Sequence, residues 1–135
     1  MSDPHRTTTM LAVENGEGVI AVDCGGDLIQ RMLQGGIELG KLEGLVLTHG
    51  HPDHVSGFPL LMQRLWLQGR REALPVVGPA PTLAIARRLW DAFDLGNEKG
   101  MPPIDWIAVG GAREEGQLPF QSWQCRFGPA SHGDR

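Results

Sequence analysis

The ten residues Leu45-Val46-Leu47-Thr48-His49-Gly50-His51-Pro52-Asp53-His54 constrain this chain more than any other stretch. An apolar run that suits a buried strand leads straight into three histidines and one carboxylate within six positions. Imidazole nitrogen and carboxylate oxygen are donors that zinc, iron and manganese take from proteins. In an extended segment His49 and His51 present their side chains to the same side, so both reach one ion. Asp53 continues that alternation, while His54 points elsewhere and serves a second ion together with Asp53. Pro52 stiffens the loop and restricts the residue before it. The whole chain has five histidines and three fall here, so chance is a poor account of the spacing. Two adjacent ions lower the pKa of water and clamp the attacking and leaving oxygens of a hydrolysis. The spacing therefore predicts cleavage of an ester, phosphodiester or amide-like bond, with Asp53 as the candidate proton acceptor.

The remaining chain reads as a scaffold for this cluster. Residues 7–13 are β-branched and apolar, Asn15-Gly16 is a hairpin turn signal, and residues 19–22 form the returning strand. That strand ends at Asp23-Cys24-Gly25-Gly26. Asp23 is a candidate to accept the second ring N–H of a ligand histidine, the alternative being a solvent-facing turn residue. Cys24 is expected to pack rather than ligate. A short helix is expected over 28–34, stopped by Gly35-Gly36. Two further helices are expected over 58–68 and 82–93, with Leu61 and Leu65 on one apolar side and Leu83, Ala86, Trp90 and Phe93 on the other. Leu74-Pro75-Val76-Val77 reads as a short strand whose proline suits an edge or a first position. Residues 104–109 and 122–127 are the last expected strands, with loop over 110–119. His132, just beyond, is a candidate third imidazole, and the four tryptophans are expected in the core or half-buried. Strands interleaved with helices indicate an α/β or α+β layered arrangement.

Length and composition set the outer limits. The 135 residues suffice for a single domain (1–135), and its 41% hydrophobic and 21% charged content is that of a globular chain. A net charge of −4 argues against a general electrostatic grip on nucleic acid. Cys24 and Cys125 leave one disulfide open but do not make a framework, and free thiols in a reducing, cytoplasmic setting are the simpler expectation. The start Met1-Ser2-Asp3-Pro4-His5-Arg6 is not a signal segment, and no apolar run approaches the ~18 residues that cross a membrane.

Thr48-His49-Gly50-His51-Pro52-Asp53-His54, preceded by the strand end Val22-Asp23-Cys24-Gly25, resembles the metallo-β-lactamase superfamily of metal-dependent hydrolases. Within it, Asp23-Cys24-Gly25-Gly26, Leu45-Val46-Leu47-Thr48-His49 and Val55-Ser56-Gly57-Phe58-Pro59 look like the ribonuclease Z branch and its phosphodiesterase and arylsulfatase-like relatives. The resemblance implies an αβ/βα sandwich of two similar halves, of which this chain corresponds to about one: a mixed sheet with helices on one face. It implies that His49, His51 and His132 hold a first ion, that Asp53 and His54 hold a second, and that Asp53 accepts the proton. Zinc is the implied metal, as one or two ions, with manganese or iron as substitutes. The family's bridging aspartate and late histidine would fall beyond Arg135 and its glycine-rich first strand before Ser2, so the chain is expected to be truncated at both ends. The second ion should then bind poorly, and a sheet face left uncovered should drive homo-oligomerisation.

The expected function is a hydrolase that uses a metal-bound hydroxide on a phosphodiester or related ester, a small molecule or RNA. The basic arm that would hold transfer RNA is not recognisable in the chain. Two alternatives stand beside it. One is a catalytically incomplete fragment that binds metal and oligomerises, and the other a hydrolase of sulfate esters, lactones or thioesters.

Overall fold

Apolar runs punctuated by glycine and proline become the strands and helices of a computed structural model that describes residues 11–14, 18–25, 30, 32, 34–36, 38–109, 116–117 and 126–127. The strands β1 (Leu11–Glu14), β2 (Val19–Val22), β3 (Leu42–Val46), β4 (Leu74–Gly78) and β5 (Ile104–Ala108) form one sheet in that order. β1 and β2 pair antiparallel, as the Asn-Gly signal between them predicts. From β2 to β5 every pairing is parallel, each crossover carrying helical or turn structure. The helices are α1 (Pro52–Val55), α2 (Phe58–Leu67) and α3 (Ala80–Asp91). A 3-10 turn at Leu39–Lys41 and a small two-stranded ladder, β6 (Gly116–Gln117) with β7 (Arg126–Phe127), are the other described elements. β6 falls where loop was expected, and β7 is the described part of the strand expected over 122–127.

Alternation along the strands divides their apolar residues between two faces. Val19, Ala21, Leu45, Leu74 and Val76 face α2 and α3, where Phe58, Leu61, Met62, Leu65, Leu83, Ala86 and Trp90 close the main core. Phe58 is fully buried at its centre, its ring centroid 5.5 Å from that of Trp106 and 6.2 Å from that of Trp90. The opposite face carries Ile20 and Val77, with Val46, Ile107 and Val109 packed around them. This is the mixed, helix-on-one-face sheet that the resemblance implies.

Several expectations need correction. β3 starts at Leu42, three residues before the run that marks it in sequence. β4 lies inside the sheet rather than at its edge. Pro75 is tolerated there because the β3–β4 ladder begins only at Val76, so the missing N–H interrupts no bond on that side. α3 begins at Ala80 with Pro81 in its first turn and ends at Asp91, which leaves Phe93 beyond the cap and 55% exposed instead of in the core. Among the described residues the large apolar side chains most exposed are Leu60, Leu67, Ile85 and Phe93, on or just after helices rather than on the sheet. Gln30, Met32 and Gln34 are helical, in line with the short helix expected there, and Gly36 takes the left-handed φ of 74° that closes it. No helix among the described residues is long and apolar enough to cross a membrane.

Candidate metal centre

Parallel pairing makes the site. Val22 of β2 lies opposite Val46 of β3, so the two strands end side by side and the loops that leave their C-terminal ends meet. The ladder runs on for one more bond, the Asp23 N–H donating to the Val46 carbonyl at 2.6 Å. Leu47 continues β3 on its other side, its N–H donating to the Val77 carbonyl at 2.7 Å. At Asp23 the backbone turns into the left-handed region, φ 64°, a conformation that aspartate tolerates better than most residues. The turn folds the carboxylate back beneath the histidine loop, where only 3% of the residue is exposed.

A carboxylate so buried needs partners. Oδ1 accepts the Thr48 backbone N–H at 2.7 Å and Oδ2 accepts the Thr48 hydroxyl at 2.6 Å. Nδ1 of His54 lies 2.9 Å from the same Oδ2, an ion-pair contact when the ring is charged. Thr48 Oγ1 is also 3.0 Å from Nδ1 of His49. Asp23 therefore supports the loop from behind, against Thr48 and His54, and is not a solvent-facing turn residue.

A backbone clasp holds the same two segments together. The Cys24 N–H donates to the His54 carbonyl at 2.7 Å, and the Gly57 N–H donates to the Cys24 carbonyl at 2.8 Å. Contact is so close that a Cβ on Gly57 would stand 2.0 Å from the Gly25 carbonyl oxygen, which is why glycine occupies that position. Cys24 is a buried free thiol, packed as expected. Burial, and then the negative charge of Asp23, pushes its pKa far above the ordinary thiol range.

Three imidazoles gather over this base. The ring centroids of His49 and His54 are 4.8 Å apart, those of His49 and His51 6.1 Å, and those of His51 and His54 6.5 Å. His49 and His51 are exposed, and the His54 side chain is 14% exposed. The extended alternation breaks earlier than the spacing suggests. His51 is extended, but Pro52 opens α1, where its fixed φ suits the first helical position, so Asp53 lies within a helical turn rather than on the continuing strand. The side chain of Asp53 and the whole of His132 lie outside the described residues. Thr48 is the participant that spacing alone does not single out; its signal is a hydroxyl at a strand end, beside a second strand end that carries an aspartate.

Among the described residues no group of three or more histidine, cysteine, aspartate or glutamate side chains converges closely enough to hold an ion. The donor chemistry still fits a divalent transition metal. Three imidazoles gather across one loop and the helical turn that follows it, and a buried carboxylate lies against Nδ1 of one of them, where metal-binding histidines are ordinarily oriented.

Comparison with known proteins agrees with this architecture. Ribonuclease Z of Mycolicibacterium paratuberculosis is 32% identical over 99 residues, covering 70% of this chain and 35% of its own length. Ribonuclease Z of Pyrococcus abyssi is 26% identical over 130 residues, covering 96% of this chain and 40% of its own. The crystal structure of the short form of human tRNase Z shares the fold with a TM-score of 0.65 at 19% identity, over 79% of this chain and 39% of that one. The chain thus spans little more than a third of the length of these relatives. A family model described as the metallo-beta-lactamase superfamily matches residues 3–128, nearly the whole chain, and to that superfamily the chain belongs.

Proposed function

We propose that this chain is the metal-binding unit of a hydrolase that acts on phosphodiesters or related esters. The observation that carries the reading is the gathering of His49, His51 and His54 over the buried carboxylate of Asp23, at the C-terminal ends of two parallel strands. We take His49, His51 and His132 to hold one ion, zinc or in its place manganese or iron, and Asp53 and His54 to contribute to a second. Bound there, the metal supplies acidified water and a polarised phosphoryl oxygen. Asp53 orients the attacking water and takes up its proton on a carboxylate oxygen. The Asp23 carboxylate stands 2.9 Å from Nδ1 of His54, which makes Nε2 the nitrogen of that ring we take to meet a metal. The ribonuclease Z relatives favour a phosphodiester over other esters and make RNA a candidate substrate beside small molecules. We further read residues 1–135 as a single cytoplasmic unit that associates with copies of itself.

The experiment is metal analysis with turnover of a chromogenic phosphodiester. Purified protein is expected to carry about one tightly held zinc per chain, since three histidines suffice for one ion. Asp53→Ala is expected to lower turnover by a factor of about 100 or more while that zinc is retained. A second reading, a metal-binding unit without activity of its own, is favoured by the share of its relatives that the chain spans, 35% and 40% of the two ribonuclease Z chains. Full zinc loading with no turnover of phosphodiesters, sulfate esters, lactones or thioesters would select it.

A further inference from the structure

We propose that Thr48 is a positioning residue that sets which nitrogen of His49 is free to bind, by passing the constraint of one buried carboxylate along a hydrogen-bonded chain. Proton counts decide it. A carboxylate accepts and does not donate, whereas a threonine hydroxyl has one proton to give and lone pairs to offer. Asp23 Oδ2 takes the Thr48 hydroxyl proton at 2.6 Å, a short and well-committed bond. Nδ1 of His49, 3.0 Å from the same Oγ1, meets only its lone pairs, so the proton between them belongs to His49. His49 is thereby held as the Nδ1–H tautomer, with the lone pair of the neutral ring on Nε2. Nδ1 of His54 lies 2.9 Å from Asp23 Oδ2, so the same carboxylate also acts on that ring, by charge and proximity.

One carboxylate therefore touches both imidazoles, His54 by direct contact and His49 through Thr48, and through Thr48 it sets the tautomer of His49. The arrangement depends on the hydroxyl and not on the bulk of the residue. It also depends on backbone geometry, because the Thr48 N–H on Oδ1 fixes where the hydroxyl sits relative to Oδ2. The inference rests on the reading that His49 is a metal ligand, but its first consequence is a tautomer, which can be read without metal.

The test uses the full chain, metal-free and 15N-labelled, above the imidazole pKa, with ring tautomers read from long-range 1H–15N correlations. Wild type is expected to show His49 as Nδ1–H. Thr48→Val, which keeps the shape and removes the hydroxyl, is expected to release His49 into a mixture with the Nε2–H form and leave His54 unchanged. Zinc affinity, measured by competition with a chelator, is expected to fall about 10- to 100-fold in Thr48→Val, the usual cost of losing an orienting partner. Thr48→Ser is expected to restore both. An unchanged His49 tautomer in Thr48→Val, or an affinity loss that serine does not repair, would overturn the proposal. Tautomers that respond as expected in a protein without zinc affinity would support the positioning role and count instead against the metal-binding reading.

Discussion

At Asp23 a residue pays for its position twice, in a left-handed backbone and in a buried carboxylate, and both costs are recovered in the loop it holds. Asp23→Asn retains the shape but presents an amide to Thr48 and His54. Zinc affinity by chelator competition is expected to drop about 10- to 100-fold, with the Thr48 N–H still able to find the side-chain oxygen. Its neighbour Cys24 carries a pH signature. Burial, with the Asp23 charge added, raises the folded thiol's pKa, so at alkaline pH the unfolded chain loses a proton that the folded chain keeps. Stability on this account is complete below the unfolded thiol's ordinary pKa and falls as pH rises through it. Between about pH 8 and 10, wild type should lose about 2 kcal/mol more than Cys24→Ala in urea unfolding. Equal losses would place the thiol in water. At this scale the ligand-type residues were legible because histidine and aspartate have few reasons to cluster. Thr48 was not, since its role exists only once two strand ends lie side by side.

At the scale of elements, α2 and α3 were readable to within two or three residues because glycine and proline punctuate them: Gly57 and Gly69 around one, Pro81 inside the first turn of the other. α1 was hidden. Four residues are too few to show a helical period, and Pro52 reads equally well as loop until it is seen at the first helical position. Pro75 misled in the opposite sense, because the length of the ladder beside it is not written in local sequence. Two substitutions probe this level. Phe58→Ala empties the centre of the helix-facing core and is expected to cost about 3–5 kcal/mol in chemical denaturation. Gly57→Ala drives a methyl group into the Gly25 carbonyl and is expected to cost about 1–3 kcal/mol, with His54 displaced and zinc affinity reduced in step. A stable Gly57→Ala protein with undiminished zinc binding would show that the clasp does not place the histidines.

For the whole molecule, the sheet's second face sets the outlook. Ile20 and Val77 lie at its centre with Val46, Ile107 and Val109 about them, an apolar strip on the side away from the helices. Ile20 and Val77 are buried within the chain, so self-association would use the half-buried Val46, Ile107 and Val109, and is expected to appear as a concentration-dependent shift in sedimentation velocity. Ile107→Glu should abolish the shift and Phe93→Glu, on the helical side, should not. A monomer at every concentration would remove oligomerisation from the proposal. The sheet order was beyond reach of local sequence because parallel neighbours are chosen by long crossovers, whereas the β1–β2 hairpin announced itself in Asn15-Gly16. The clasp between Cys24 and the residues on either side of α1 has a kinetic side as well. The amides of Cys24 and Gly57 are expected to exchange with solvent only as fast as the core opens, whether or not an ion is present. Histidines mounted on such a frame are brought to one strand end by folding itself, so an arriving cation finds His49, His51 and His54 already tethered there and has only side chains to draw into its shell.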